Sequence, residues 1–260
     1  MNKASLPLFY CSTVRASPGG VYHLSLVIPA YNEERRLLPS LQQVDQYLSS
    51  RPYASELVIV DDGSTDRTGE LMRAFAPAAP NRVQVRLLPH ERNLGKGAAV
   101  RTGCLAAQGE YVVFTDMDLA VPLEEVGRVL ERLEAGVDVA VGTRLHPGGQ
   151  DMRSSQPPLR RAAGRLFVLV RRRVAVSEFG DTQCPLKGFR REAARRLFAA
   201  QRLSGWAFDV ELLYLAKRWG LRVEEVPVRW DHVAGSHVGL RPLVAAQVLG
   251  DLLRLRLLHR

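Results

Sequence analysis

Apolar positions along the chain fall into short continuous runs, separated by stretches in which they recur every third or fourth residue. LSLVIP (24–29) is such a run. Downstream, Leu37, Leu41, Val44 and Leu48 share one helical face, because residues three and four apart lie on the same side of a 3.6-residue turn. Pro39 within that stretch predicts a late start or a kink, since proline lacks the N–H that an interior turn needs. ELVIV (56–60) repeats the strand pattern, and Ser64 or Thr65 is expected to cap a helix carrying Leu71, Met72 and Phe75. VQVRLL (83–88) precedes NLGKG and a small-residue helix expected over about 98–108. YVVF then leads into the acidic DMD, Pro122 opens a helix with Leu123, Val126, Leu130 and Leu133 inward, and VDVAVGTR closes the first half. Strands that are nearly continuous in apolar residues and joined by single helices predict an α/β fold with a parallel sheet covered on both faces.

A chain of 260 residues, 46% hydrophobic, suffices for one large core. The expected organisation is an extension over 1–23, a domain over 24–238 and an amphipathic C-terminal helix over 239–260. Cys11, Cys104 and Cys184 are scattered without a CxxC pair, which argues against a zinc ribbon or a disulfide framework and predicts a reduced, cytoplasmic protein. No run approaches the length of a membrane span, and the N-terminus lacks the basic-then-apolar layout of a signal peptide, so the chain is not expected to cross a bilayer alone. Lys and Arg number 36 against 27 Asp and Glu, a net charge of +9. Part of the excess sits in RRAAGRLFVLVRRR, where Arg160, Arg161, Arg165, Arg171, Arg172 and Arg173 flank LFVLV. A solvated helix face is the commoner source of such a pattern, but the phosphate chemistry argued below favours an anionic lipid surface or a phosphorylated ligand.

In parallel sheets ligands bind outside the carboxyl ends of the strands, and the polar clusters fall there. Tyr31, Asn32 and Glu33 follow the first strand, Asp61 and Asp62 the second, Asn93, Gly95 and Lys96 the third, Asp116 and Asp118 the fourth, and Arg144 the fifth. Singly these signals are weak. VDDGSTD also suits an ordinary turn, and NLGKG lacks the GxxxxGK[ST] phosphate-loop spacing. GxGxxG is absent, which disfavours a dehydrogenase. The carboxylate pair is stronger. In an extended backbone residues i and i+2 face the same way, so Asp116 and Asp118 are expected to face one spot suited to Mg²⁺ or Mn²⁺, completed by substrate phosphate oxygens; an exposed turn is the alternative. The six histidines show no metal spacing. Trp206, Trp219 and Trp230 read as core, with Trp206 beside Gly205 placed to border a sugar.

Together LSLVIPAYNEERRL, ELVIVDDGSTDRT, NLGKGAAVRTG, the DMD stretch, GTR, DTQCPLKGFRREAARRLF and GWAFDVELLYLAKRWG resemble, in order and spacing, the dolichyl-phosphate glucosyltransferases and their bacterial polyprenyl-phosphate relatives. These are inverting GT-A glycosyltransferases related to the dolichyl-phosphate mannose synthases. The resemblance covers residues 24–260, and DTQCPLKGF and WAFDVELL narrow it toward the glucosyl branch. It implies a Rossmann-like, mostly parallel sheet flanked by helices, and a hexosyltransferase that moves glucose from UDP-glucose to a polyprenyl or dolichyl phosphate. The roles implied are Pro29, Ala30, Tyr31, Glu33 and Asp61 on base and ribose, with Asp62 and Lys96 nearby, and Asp116 and Asp118 on a metal ion against the diphosphate. Arg144, with one or more of Arg153, Arg160 and Arg161, clamps the acceptor phosphate. Asp181 and Asp209 shape the sugar and acceptor site, with helix capping and structural hydrogen bonding as the alternative for both.

Two departures stand out. No run in this sequence is expected to serve as the membrane anchor found in many relatives, and Ala120 stands where some mannose synthases carry a glutamine ligand. A phosphate monoester with a second pKa of about 6 is largely dianionic at neutral pH, so this acceptor needs no general base. Expected partners are therefore a nucleotide-sugar, polyprenyl phosphate and an anionic membrane surface, at the cytoplasmic face of the membrane and without nucleic acid. The competing readings are a GDP-mannose-dependent polyprenyl-phosphate mannosyltransferase, a transferase acting on a sugar hydroxyl, and a noncatalytic nucleotide-sugar-binding scaffold.

Overall fold

Residue alternation along β1 (Leu24–Ala30) sends Leu24, Leu26 and Ile28 to one face of a sheet and Val27 to the other, and both faces are buried. This is why the run is continuously apolar. The computed structural model describes residues 22–146, 151, 173, 176–231 and 242–259. After β1 come α1 (Leu37–Ser49), β2 (Ser55–Asp61), α2 (Thr68–Ala74), β3 (Val83–Pro89), α3 (Lys96–Ala106), β4 (Tyr111–Phe114), α4 (Glu124–Glu134) and β5 (Val139–Thr143). The second half supplies β6 (Lys187–Arg190), α5 (Arg191–Ala200), α6 (Phe208–Arg218), β7 (Val223–Pro227) and α7 (Pro242–Leu258).

The described strands form one sheet in the order β3-β2-β1-β4-β6-β5-β7. β1 pairs in parallel with β2 and β4, and β2 with β3, whereas β6 runs antiparallel between β4 and β5. β5 therefore points the same way as the first four strands, and all five carboxyl ends lie along one edge. Helices cover both faces. Leu41, Leu48, Val126 and Leu133 of α1 and α4 pack on one, and Val100, Leu197, Phe208 and Leu252 of α3, α5, α6 and α7 on the other.

Local departures from the expected elements have physical causes. Pro39 sits in the first turn of α1, where backbone N–H groups have no intrahelical partner, so neither delay nor kink results. Ser64 and Thr65 do not cap α2: Ser64 Oγ accepts from Asn32 N at 3.0 Å, and Asp66 Oδ1 accepts from Thr68 N at 2.9 Å. α3 begins at Lys96 because Gly95, at φ 102°, turns the chain directly into it. Among the arginines of the basic segment, Arg173 is exposed, while Arg153, Arg160, Arg161, Arg165, Arg171 and Arg172 lie outside the described residues.

Candidate active site

The loops after β1 and β2 are tied together. Ala30 lies opposite Asp61 in the register, Thr65 N donates to Asn32 Oδ1 at 2.8 Å, Glu33 N donates to Thr68 Oγ1 at 2.7 Å, and Ser64 N donates to Asp61 Oδ1 at 2.9 Å. Asn32 adopts φ 54°, in the left-handed region that asparagine tolerates. Pro29, Ala30, Tyr31, Glu33 and Asp61 are thereby gathered at one end of two adjacent strands, with Tyr31 exposed and Glu33 held 2.7 Å from Arg36 Nε. Asp62 has a different task. Its carboxylate accepts from Leu94 N and Gly95 N, both at 2.9 Å, and lies 2.7 Å from His90 Nδ1, so it holds the NLGKG loop in place.

Asp116 and Asp118 do not sit on an extended strand, contrary to the sequence reading. The β4 ladder ends with Thr115 N on Val27 O, and the chain then turns, with Leu119 N on Asp116 O at 3.2 Å and Leu119 at φ 50°. Asp118 Oδ1 accepts from Ala120 N at 3.1 Å. The two carboxylates nevertheless share one neighbourhood: burial raises the Asp118 pKa, and the Asp116 charge raises it further.

Lys96 answers that charge. Its Nζ lies 2.7 Å from Asp116 Oδ1 and 2.8 Å from Oδ2, and 5.0 Å from the Trp206 ring centre. Burial alone would lower the Lys96 pKa, but the carboxylates of Asp116, Asp209 and Asp118 raise it overall. Behind it, in the first turn of α6, Asp209 Oδ1 lies 2.7 Å from Lys187 Nζ. Lys187 has no exposed surface and donates to Cys184 O at 2.6 Å. Burial raises the Asp209 pKa, and Lys187 and Lys96 oppose the rise. Carboxylate and ammonium thus alternate from Asp116 to Lys96, Asp209 and Lys187. Lys187 was not singled out from the sequence; the signal was a lysine in CPLKGF, where a charge in an apolar run demands a buried partner.

The residues at this site fit a hard cation. The donors are carboxylate oxygens, and Asp116 Oδ1 is buried and too oblique to Lys96 for a hydrogen bond despite their 2.7 Å separation. Among the described residues no group of three metal-ligating side chains occurs, so two carboxylates are what the protein offers here.

Arg144 and Asp181 are brought together with each other. Arg144 Nε and Nη2 donate to the two oxygens of Asp181 at 2.6 and 2.8 Å, and Arg144 N adds a third bond at 3.1 Å. Both are buried, and Asp181 raises the Arg144 pKa against the opposing effect of burial. The planar fork expected on an acceptor phosphate is thus held in place by the Asp181 carboxylate inside the protein. Glu211, fully buried, accepts from Arg202 N and Leu203 N and meets His259, tying the end of α7 to α6.

The profile of glycosyl transferase family 2 matches residues 25–198. The chain is 35% identical over 254 residues to a dolichyl-phosphate beta-glucosyltransferase of Trichomonas vaginalis, covering 94% of this chain and 73% of the relative. It is 33% identical over 228 residues to the dolichyl-phosphate beta-glucosyltransferase of Homo sapiens, covering 82% and 68%. Among solved structures, glucosyl-3-phosphoglycerate synthase from Mycobacterium tuberculosis in complex with uridine diphosphate aligns with a TM-score of 0.62 at 21% identity, over 90% of this chain and 80% of that one. The chain belongs to glycosyl transferase family 2, and is a glycosyltransferase of GT-A fold.

Proposed function

We propose that this enzyme transfers glucose from UDP-glucose, with inversion, to the phosphate of dolichol or a related polyprenol, in a reaction that requires Mg²⁺ or Mn²⁺. The observation that carries the reading is the Asp116, Lys96, Asp209, Lys187 alternation at the strand ends, in a chain whose relatives are dolichyl-phosphate beta-glucosyltransferases. In support of the metal, the mycobacterial synthase has been crystallised with Mn²⁺, uridine diphosphate and its glucosylated product.

Pro29, Ala30, Tyr31, Glu33 and Asp61 hold the nucleoside, with Asp62 fixing the neighbouring loop through Leu94 N and Gly95 N. Asp116 and Asp118 would hold the metal ion, whose charge offsets that developing on the departing nucleoside diphosphate. The acceptor phosphate, already anionic, attacks the anomeric carbon from the side opposite the leaving group, so the site has to align and desolvate rather than remove a proton. Asp209, tied to Lys187, stands at the helix N-terminus as a sugar-positioning group rather than a base. Arg144, oriented by Asp181, forms the acceptor clamp with one or more of Arg153, Arg160 and Arg161. A polyprenyl tail stays in the bilayer, so the enzyme works as a peripheral protein at the cytoplasmic face; no helix among the described residues is long and apolar enough to cross a membrane.

The test is a donor panel assayed against polyprenyl phosphate. UDP-glucose should surpass GDP-mannose, chelator should stop turnover, and Asp116→Asn and Asp118→Asn should each abolish it while the fold persists. Full activity in chelator or in either variant would refute metal dependence. GDP binding tenfold tighter than UDP, about 1.4 kcal/mol, would move the reading to the mannosyl branch. Transfer to soluble sugar hydroxyls but not to the lipid would give the acceptor to the competing class.

A further inference from the structure

Lys96 holds Asp116 as a cation would. Its ammonium meets both carboxylate oxygens, at 2.7 and 2.8 Å, and the pair is mostly buried, with side-chain exposures of 15% and 27%. A divalent ion on the same carboxylate would leave ammonium and dication as close like charges in a partly buried site. The two cannot both keep their places. No unshared protein carboxylate waits for the displaced lysine: Asp118 is the second expected ligand, and Asp209, whose charge already acts on Lys96, is shared with Lys187 at 2.7 Å.

We propose that Lys96 is a resident counter-cation that keeps the metal site neutralised in the empty enzyme, leaves Asp116 when the divalent ion enters, and transfers its charge to the donor's diphosphate. This rests on the metal-dependent reading above. The anchoring suits such a movement. The backbone of Lys96 is fixed, because its neighbour Gly95 adopts φ 102° and a Cβ there would lie 2.5 Å from Ser204 O. The four-carbon stem beyond it has several rotatable bonds, and the Trp206 face, 5.0 Å from Nζ, offers the ammonium a flanking surface. The consequence is ordered chemistry. Without nucleotide the metal must compete with a lysine, whereas with nucleotide the lysine gains a new anion, so metal and donor enter together and the empty enzyme does not accumulate tightly held ion.

Free Mn²⁺, followed by electron paramagnetic resonance during titration of the full chain with and without UDP, tests this. Lys96→Met should bind Mn²⁺ without UDP at least tenfold tighter than the wild type, about 1.4 kcal/mol, and should gain less from added UDP. Its thermal unfolding midpoint should rise more on Mn²⁺ addition than that of the wild type. Lys96→Arg, which keeps the charge, should retain the weak metal-alone binding, and Lys96→Gln serves as a second neutral variant that must show the same gain. Metal-alone affinity in Lys96→Met and Lys96→Gln equal to or weaker than wild type, or a gain in Lys96→Arg as large as theirs, overturns the proposal. If the wild type binds Mn²⁺ with UDP but the neutral variants gain nothing, only this inference fails; if the wild type binds no Mn²⁺ even with UDP, the metal-dependent reading fails with it.

Discussion

Lys187 is the residue whose environment departs furthest from its chemistry. With no exposed surface, it has the Asp209 carboxylate and Cys184 O as polar partners and the Phe114 ring 5.4 Å away. Breaking a buried pair by removing one partner leaves an uncompensated charge, so Lys187→Met should cost about 3–5 kcal/mol in denaturant unfolding. Adding Asp209→Asn to that variant should recover part of the loss, because the orphaned charge disappears; a strictly additive double variant would contradict the pairing. The thiols offer a second check. Burial, then the Asp181 charge, pushes the Cys184 thiol up to about 12, and burial raises Cys104 as well. A raised thiol pKa means less thiolate at pH 8 than an ordinary cysteine carries, so iodoacetamide should leave both unmodified in the folded protein and label them in urea, as read by peptide mass spectrometry. Asp116 and Asp118 stood out in the sequence as candidates for chemistry because two carboxylates beside an apolar run have few inexpensive explanations. Lys187 did not, because one lysine in an apolar run is also what an exposed strand edge looks like.

At the scale of elements, periodicity revealed the first five strands and four helices, and missed what depends on partners distant in the chain. β6 has only the four residues KGFR, too few and too polar to announce a strand inside the sheet, and its antiparallel direction follows from packing between β4 and β5. The turn at Asp116 was equally hidden, since Leu119 at φ 50° is a conformation that leucine does not advertise. Close packing of α3 on the sheet was likewise beyond local pattern. A Cβ on Gly103 would lie 2.4 Å from Val27 Cγ1 and 3.0 Å from Val60 Cγ2. Alanine improves an average helix by about 1 kcal/mol over glycine, whereas overpacking costs about 1–3 kcal/mol, and β-branched valines in central strands yield little. Gly103→Ala should therefore lower stability despite its better helix propensity, and a denaturant midpoint above wild type would show that α3 can move away from the sheet.

Across the whole molecule, the net charge of +9 and the terminal helix bear on where the enzyme works. α7 buries Leu252 and Leu255 completely, yet leaves Leu249, Leu253 and Leu257 at 39, 58 and 57% exposure, spaced four apart along one stripe with Arg254 and Arg256 exposed nearby. Each leucine fully buried is worth about 1.5–3 kcal/mol, and each arginine near an anionic surface about 1 kcal/mol. Changing the three leucines to serine should thus reduce flotation with anionic vesicles at least tenfold, about 1.4 kcal/mol, while high salt reduces it only in part. Undiminished flotation of the triple variant would move the attachment to the basic segment over 160–173.

The place of β6 also bears on how the chain is made. During synthesis β1 to β5 leave the ribosome well before Lys187, yet among the described strands β5 is linked to the β3-β2-β1-β4 block through β6. Until then the nascent protein can assemble the block β3-β2-β1-β4, whose outer edge is the wholly apolar Tyr111–Phe114. An unpaired apolar edge is a template for aggregation and a target for chaperones. Ribosome-bound chains stopped short of Lys187 should stay protease-sensitive around β5, and chains extended beyond the tunnel past Arg190 should become protected, because β5 is tied to the earlier block by a strand inserted into the middle of the sheet, before β7 is added at its rim.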